Sequence, residues 1–483
     1  MSYLGRQLNV PASTVELTAE GAITAGKPCI VEADGDIAQV AAITQAVGTP
    51  VVFESGNTAY IDSAYDSNAQ KVVIAYQDIG NSSYGTAVVG TVDPSDNSIS
   101  FGTPVVYESA NASWTAMTYD SNAQKVAIAY MDNGNSNYGT GIVGTVSGTS
   151  ISFGSASVFE SARADNITAT FDSSNNKVVF SYQDDGNSGY GTSVVGTISG
   201  TSISFGTPVV FESASVEFID STFDSSNNKV VIVYQDEGNS SHGTAIVGTV
   251  SGTSISFGSA VVFESADTRD INVAYDSNAQ KAVIAYRDVG NSQYGTAIVG
   301  TVSGTDITFG TAAVFATSAS EYNGIAYDAS AQKVVIAYAD TGSSYHGKAV
   351  AGTVSGTSIT FGSIVTYESA TTYYHRPVYD SNAERVVIPY TDSGNSDYGT
   401  AAVFRSASTN LTSENFIGFA ENDCTDNGLA TIQLGGSVND KQTSLTAGQT
   451  YFVQTDGTIG TTADSPSVTA GTAVSSTEIL VKG

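Results

Sequence analysis

The stretch FDSSNNKVVIVYQDEGNSSHG, Phe223 to Gly243, occurs in seven versions along the chain. Its opening pair returns as Tyr65-Asp66, Tyr119-Asp120, Phe171-Asp172, Tyr275-Asp276, Tyr327-Asp328 and Tyr379-Asp380, with one interval of 54 residues and five of 52. A period of this length implies a solenoid, an array or a propeller, because one unit buries its apolar face only against the next. Strand chemistry inside the unit selects the propeller. The fourth unit is rich in Val, Ile, Tyr, Phe and Thr over Glu217–Phe223, Lys229–Gln235, Thr244–Val250 and Ser254–Phe263, which reads as four short β-strands. The segments DSSNN (Asp224–Asn228) and SGTS (Ser251–Ser254) supply turns, since Asn, Asp and Gly tolerate left-handed backbone angles.

The expected fold is therefore all-β, a seven-bladed β-propeller with four-stranded blades. The first repeat opens with the outer-type strand Thr49–Glu54, and the last finishes with Gly399–Phe404, the strand that should precede it. Closure by three C-terminal strands and one N-terminal strand is expected, which removes open sheet edges. The propeller is assigned to residues 47–406, leaving flanks 1–46 and 407–483. Those flanks share an order of residues: GAITAGKPCIVEADGDIAQV (Gly21–Val40) and TAGQTYFVQTDGTIG (Thr446–Gly460) each read as a strand pair around an Asp-Gly turn. The expectation is one small β domain built from both ends, with the propeller inserted in it.

Charge bounds the partners. There are 17 Lys and Arg against 47 Asp and Glu, for a net charge of −30, which disfavours phosphate and hence nucleic acid. Lys71, Lys125, Lys177, Lys229, Lys281 and Lys333, with Arg385, share one repeat position, so much of the scarce positive charge belongs to the scaffold. The N-terminus lacks the apolar core of an export signal, and no stretch approaches the roughly 18 apolar residues of a membrane span. Neither Sec export nor membrane insertion is expected. Cys29 and Cys424 both fall in the flanks, and the residues leave open a disulfide or two buried thiols.

After its second strand every unit carries Tyr-x-Asp-x-Gly-Asn/Ser-Ser-x-Tyr/His-Gly, led by Asp78, Asp132, Asp184, Asp236, Asp288, Asp340 and Asp392. An Asp two residues before Gly can accept backbone N–H groups across a tight turn. The loop resembles the Asp-box turn of sialidase-like propellers, with Tyr-Gly or His-Gly in place of the terminal Trp. A structural turn is expected here. The alternative is a repeated Ca²⁺ site, because each loop offers one carboxylate with amide and hydroxyl helpers.

Identity collapses in the segment joining one unit to the next, which reads GNTAYIDS, ANASWTAM, ARADNITA, ASVEFIDS, ADTRDINV, SASEYNGI and ATTYYHRP. Variation against a fixed frame marks a candidate recognition face. Six residues past the Glu that starts the segment, five of seven units carry an aromatic: Tyr60, Trp114, Phe218, Tyr322 and Tyr374. A ring stacks on the apolar face of a pyranose while polar neighbours bond its hydroxyls. Packing between blades is the competing role for these rings. Arg163, Arg269, His375 and Arg376 lie in the same variable segments and complete the candidate ligand-binding set. The three arginines stand at different offsets, so the convergence on a substrate carboxylate that a sialidase needs is not expected. His242, His346 and His375 are the only histidines, too few for a His-based triad or a zinc site. No catalytic residue, metal or cofactor is assigned.

The flanks carry a further resemblance. The start MSYLGRQ with VELTAEGAITAGKPCIVEADGDIAQV, and the end from ENFIGFAEND to VSSTEILVKG, look like the module at the ends of tailed-bacteriophage virion proteins of the tail-fibre and capsid-associated type. Leu445–Gly460 and Ala470–Gly483 are its most specific parts, and it covers about 120 residues and none of the propeller. The resemblance implies a non-enzymatic virion surface protein, oligomeric in the assembled particle, docked on capsid or tail proteins. The propeller would then face outward, to bind host-surface glycans or decorate the capsid. A tail receptor-binding protein, a sialidase-like glycosidase and a secreted lectin are the alternatives.

Overall fold

The computed structural model describes residues 13–482, so the stretch MSYLGRQ and Gly483 lie outside the described residues. Two compact units result: the chain up to Gln45 together with the chain from Ala407, and Ala46–Ser406. Among the described residues no helix is long and apolar enough to cross a membrane.

The larger unit repeats one pattern of strands. In the fourth repeat the long strand Val209–Asp224 is followed by Lys229–Asp236, His242–Ser251 and Ser254–Phe257. The long strand serves two sheets. Its first part pairs backward, Val209 with Ser193 and Val210 with Thr192, and its second part pairs forward, Val216 with Asp236 through Asp224 with Lys229. What reads in sequence as a connecting segment is therefore continuous strand, and each repeat is stitched to the next by backbone hydrogen bonds. The seventh repeat departs from this pattern. There Val365–Tyr373 and Val378–Asp380 are separate strands, and Pro377 in the gap lacks the N–H that a ladder needs.

The two ends of this unit meet. Tyr398–Arg405 pairs with Val51–Asp66, setting Gly399 against Glu54 and Ala401 against Val51, and Ala46–Val47 extends the pairing to Arg405. The strands form a closed ring, compatible with a β-propeller.

The recurring residues divide the work of the repeat. The Asp of the Tyr/Phe-Asp pair closes the first hairpin: Asp224 Oδ1 accepts the N–H groups of Ser226 and Asn227 at 3.0 Å each. The seven equivalents are at most 2% exposed, so each carboxylate substitutes buried hydrogen bonds for water. In the middle of the second strand a tyrosine is wholly enclosed: Tyr76, Tyr130, Tyr182, Tyr234, Tyr286, Tyr338 and Tyr390. Six of these hydroxyls donate to the Glu that opens the variable segment, as Tyr76 does to Glu54 at 2.9 Å. Such a bond lets a large ring be buried without stranding its polar end. Val, Ile and Ala from adjacent repeats fill the space between; Val73 and Ala75 of the first pack with Val126 and Ile128 of the second. The Gly of the Tyr/His-Gly pair is needed for close approach, since a Cβ on Gly243 would stand 2.5 Å from a ring carbon of Phe263.

The Asp-Gly loop is a single 3-10 turn. Asp78, Asp132, Asp236 and Asp288 accept the N–H three residues on at 3.0 to 3.2 Å, and Asp340 accepts that of Gly342 at 3.0 Å. Asp184 and Asp392 hold the same place without such a bond. The loop lies against the variable segment: a Cβ on Gly238 would meet that of Ala214 at 2.4 Å.

The smaller unit draws strands from both ends of the chain into one sheet. Thr14–Thr18 pairs with Leu429–Gln433, and Pro28–Val31 pairs with Phe416–Ala420 and Ile37–Gln39. A second sheet contains Thr450–Val453, Val468–Ala473 and Ile479–Val481. Ile30, Val40, Phe419, Val453 and Val481 share one core. Cys29 and Cys424 are both free thiols, and burial pushes the Cys29 thiol up to about 12.

Candidate functional site

The forward pairing of each long strand contains one irregularity, and it falls at the same repeat position. Pairing skips between Ser113 and Ala116, between Glu217 and Asp220, and at the matching places in the first, third, fifth and sixth repeats. The residue after the last paired one takes a left-handed conformation. Tyr60, Trp114, Phe218, Tyr322 and Tyr374 have φ of 48°, 51°, 48°, 52° and 55°, and the remaining two repeats place Asn166 and Asp270 there with φ of 48° each. These are β-bulges that re-aim a side chain. Because all seven repeats contribute one residue to the same cavity of about 260 Å³, it lies on the axis of the ring.

The aromatic side chains are half-buried and touch one another around part of this rim. Ring centroids are 5.1 Å apart for Tyr60 and Trp114, 5.6 Å for Tyr60 and Tyr374, and 5.4 Å for Tyr322 and Tyr374. They pack across repeats and at the same time face the cavity. Burial, with Tyr60 and Tyr322 alongside, pushes the Tyr374 phenol up to about 12.

Two positions after the rim residue, Asp62, Thr168, Asp220, Asn272 and Arg376 line a second cavity of about 140 Å³ that shares Thr115, Ile167, Ile219, Asn272 and Arg376 with the first. Arg376 Nη1 donates to Asn272 Oδ1 at 3.0 Å and lies 3.3 Å from the carbonyls of Asn323 and His375. Asp62 accepts the Met117 N–H at 2.6 Å, and Asp220 accepts that of Val273 at 2.8 Å and the Thr168 hydroxyl at 3.0 Å. Burial pushes the Asp62 carboxyl up to about 6, opposed by the Arg376 charge. Asp220 is raised for the same reason against the same guanidinium.

The candidate residues thus separate. Tyr60, Trp114, Phe218, Tyr322, Tyr374 and Arg376 line the axial cavity. His375 does not face it: the ring is fully enclosed, with Nδ1 2.9 Å from the Tyr322 carbonyl and Nε2 2.9 Å from Thr372 Oγ1. Burial lowers its pKa to about 4, so it is a neutral prop for the backbone behind Tyr322. Arg163 lies half exposed, 2.8 Å from Asp165, and Arg269 lies 2.8 Å from Asp267. Neither lines the cavity. Asn166 and Asp270 share the repeat offset of the rim aromatics, and Asp62, Asp220 and Asn272 share the offset two residues on; neither set stands out in sequence until those two offsets are compared across all units.

The Asp residues of the Asp-Gly loops stay apart. Among the described residues no three His, Cys, Asp or Glu side chains converge as metal ligands. In the sixth repeat the Lys348 ammonium sits on the Asp340 carboxylate, where a cation would otherwise approach.

No protein-family model matches the sequence. No curated protein matches it either. Among solved structures it is similar to the BP39L lectin from Burkholderia pseudomallei, with a TM-score of 0.55 and 8% identity over 74% of this chain and 99% of that one. The fold is propeller-like. It is also similar to the periplasmic gluconolactonase PpgL of Pseudomonas aeruginosa (TM-score 0.47, 10% identity, 74% of this chain and 98% of that one). A third likeness is to the intramolecular trans-sialidase of Ruminococcus gnavus (TM-score 0.44, 10% identity, 74% of this chain and 97% of that one). At these identities the propeller-like ring and the lectin share architecture, and nothing about ligands passes between them.

Proposed function

We propose that the ring is a seven-bladed β-propeller whose axial cavity binds a carbohydrate without turning it over, and that it is displayed on a bacteriophage particle by the two-ended β domain. In this reading each blade has four strands. The closing blade takes three from the C-terminal side and its outer strand from Val51–Glu54.

The observation that carries the binding reading is the conflict between backbone and side chain at the rim. A left-handed φ suits Gly, Asn or Asp, and bulky residues there are outliers. Five of seven rim positions nevertheless hold Tyr, Trp or Phe. Strain of about 1–3 kcal/mol per site persists where the surroundings enforce it for a purpose. The rings give a pyranose an apolar platform, while Asn166, Asp270 and Asn323 offer hydrogen bonds from the same wall. A glycan array, followed by calorimetry on the best ligand, tests this. Trp114→Ala and Tyr374→Ala should each weaken binding at least about tenfold, or 1.4 kcal/mol; unchanged binding in both would overturn the recognition face.

The non-enzymatic part rests on charge. Arg376 is the one arginine lining the cavity among the described residues, and its Nη1 already serves Asn272 and two carbonyls. A glycosidase is the second reading, favoured by Asp62, whose carboxyl at about 6 suits a general acid. Turnover of a fluorogenic glycoside, abolished in Asp62→Asn, would establish it.

The virion part rests on the resemblance of the flanks. Immunogold electron microscopy with antibody to the ring distinguishes the sites. Label over the head indicates capsid decoration, label at the tail tip a receptor-binding protein, and no label on intact particles removes the virion role.

A further inference from the structure

We infer that the axial cavity takes an amino sugar with a free ammonium group and rejects acidic sugars, a specificity that rests on the carbohydrate reading above. In and beside its lining, carboxylates outnumber guanidinium groups: Asp270, Glu321, Asp62 and Asp220 stand against Arg287 and Arg376. At the rim, Asp270 accepts the Tyr322 N–H at 3.1 Å and lies 3.0 Å from Arg287 Nε. Arg287 also holds Glu321 at 2.7 Å, so two carboxylates share one guanidinium beside Tyr322. Deeper in, Asp62 and Asp220 line one cavity with Arg376 and feel its charge, while its Nη1 bonds Asn272 and two carbonyls. Both clusters retain one net negative charge when their carboxylates are ionised.

A further, uncharged group points the same way. Asn323 is fully buried, it lines the cavity, and its Oδ1 has no hydrogen-bond partner. A buried acceptor left unpaired costs about 1–3 kcal/mol, recovered when a ligand donor reaches it. An ammonium brings three donors and no acceptor. The faces of Tyr60, Trp114, Tyr322 and Tyr374 add attraction for a cation and none for a carboxylate.

The test is titration of the full chain, at pH 7 and low salt, with three sugars that share one ring and differ in charge: glucosamine, glucose and glucuronic acid. The galactose series is run beside it to cover the epimer. Glucosamine should bind at least about tenfold more tightly than the glucuronate, with the neutral sugar between, as expected for charges a few ångströms apart near a protein surface. The ratio of glucosamine to glucose affinity should shrink in Asp270→Asn, a residue already accommodated at the equivalent Asn166, and in Glu321→Gln. Equal or reversed affinities across the charge series, with glucose still bound, would overturn the specificity and leave the carbohydrate reading standing. Choline binding as tightly as glucosamine would also overturn it, since the sugar ring would then contribute nothing. Failure of every sugar to bind up to about 50 mM, a range that saturates a millimolar site, would remove both.

Discussion

The phenolic oxygen of Tyr65 accepts the backbone N–H of Asn382 at 3.1 Å across 317 residues of chain. The same contact joins neighbouring repeats elsewhere: Tyr119 accepts from Asn68 at 3.3 Å and Tyr379 from Ser330 at 3.1 Å. The aromatic of the recurring Tyr/Phe-Asp pair is thus a staple between repeats, and at Tyr65 it joins last to first. Tyr65→Phe should lower stability by about 0.5–1.5 kcal/mol, the usual net worth of such a bond. Urea denaturation checks this, and the third and fourth repeats, with Phe171 and Phe223, show that the ring packs without the hydroxyl.

The rim strain is separable from the rim chemistry. Trp114→Gly and Trp114→Ala both delete the indole, but only glycine relaxes at φ 51°. The glycine variant should therefore be the more stable of the two by about 1 kcal/mol, while both lose ligand. Thermal melting with calorimetry on the same samples decides; equal stability would mean that the left-handed turn carries no strain.

A paired substitution sets the sixth repeat apart. Tyr338 has Ala316 where the other repeats have the tyrosine-bonding Glu, and Lys348 stands where they have Thr. In the first, second, third and seventh repeats burial and then the neighbouring Glu raise the loop Asp, as Glu54 does Asp78. At Asp340 burial also pushes upward, but Lys348, Ser318 and Ser343 bring the carboxyl below its ordinary value. Lys348→Thr should cost about 2 kcal/mol, less than the loss of one partner from a fully enclosed ion pair because the lysine keeps some exposure. Adding Ala316→Glu should recover part of that through the Tyr338 hydroxyl. Simple additivity of the two losses would refute the coupling.

The buried carboxylates contribute stability that grows as pH falls from 8 to 5, opposed in the same window by His375, whose imidazole is held down to about 4 by burial. The folded pKa values of Asp62, at about 6, and of Asp220, Asp78, Asp132, Asp184 and Asp392 lie above the ordinary 3.8. At these carboxylates the folded state then binds more protons than the unfolded one in this window. Stability is fully present below the unfolded pKa and lost as pH rises through the folded value. Reduced self-repulsion at a net charge of −30 acts in the same direction. Arg376→Met leaves Asp62 and Asp220 without their counter-ion, so its destabilisation should be larger at pH 8 than at pH 5, read as the difference in Tm. A difference in Tm between the variant and the parent that is the same at pH 8 and pH 5 would contradict this assignment.

The ring was legible because its period comes from residues with backbone duties, such as Asp224 in its turn and Gly243 beneath Phe263. The site was legible only in part. Left-handed rim positions announce themselves when they hold Gly or Asn, and Tyr60 or Trp114 gives no such sign, so the bulge was hidden although the aromatic offset was visible. Arg376 was compared with Arg163 and Arg269, to which it is linked by residue type. The link that mattered was position: Asp62, Asp220 and Arg376 occupy one place in three repeats, and the closed ring brings them to one axis. His375 is polar in sequence and enclosed in the fold because the bulge turns consecutive side chains to different sides.

The interleaving of the two chain ends has a consequence for the order of events on the ribosome. Thr14–Thr18 emerges about 400 residues ahead of its partner Leu429–Gln433. At roughly 5–20 residues per second that delay is about 20–80 s. Throughout it the first strands wait without their ladder while successive repeats are completed behind them. Pairing of Tyr398–Arg405 with Val51–Asp66 then draws the distant segments together, replacing a long loop closure with a short one. On these pairings, closing the ring shortens the loop that the flanking domain has to close, so that domain is expected to fold after the ring.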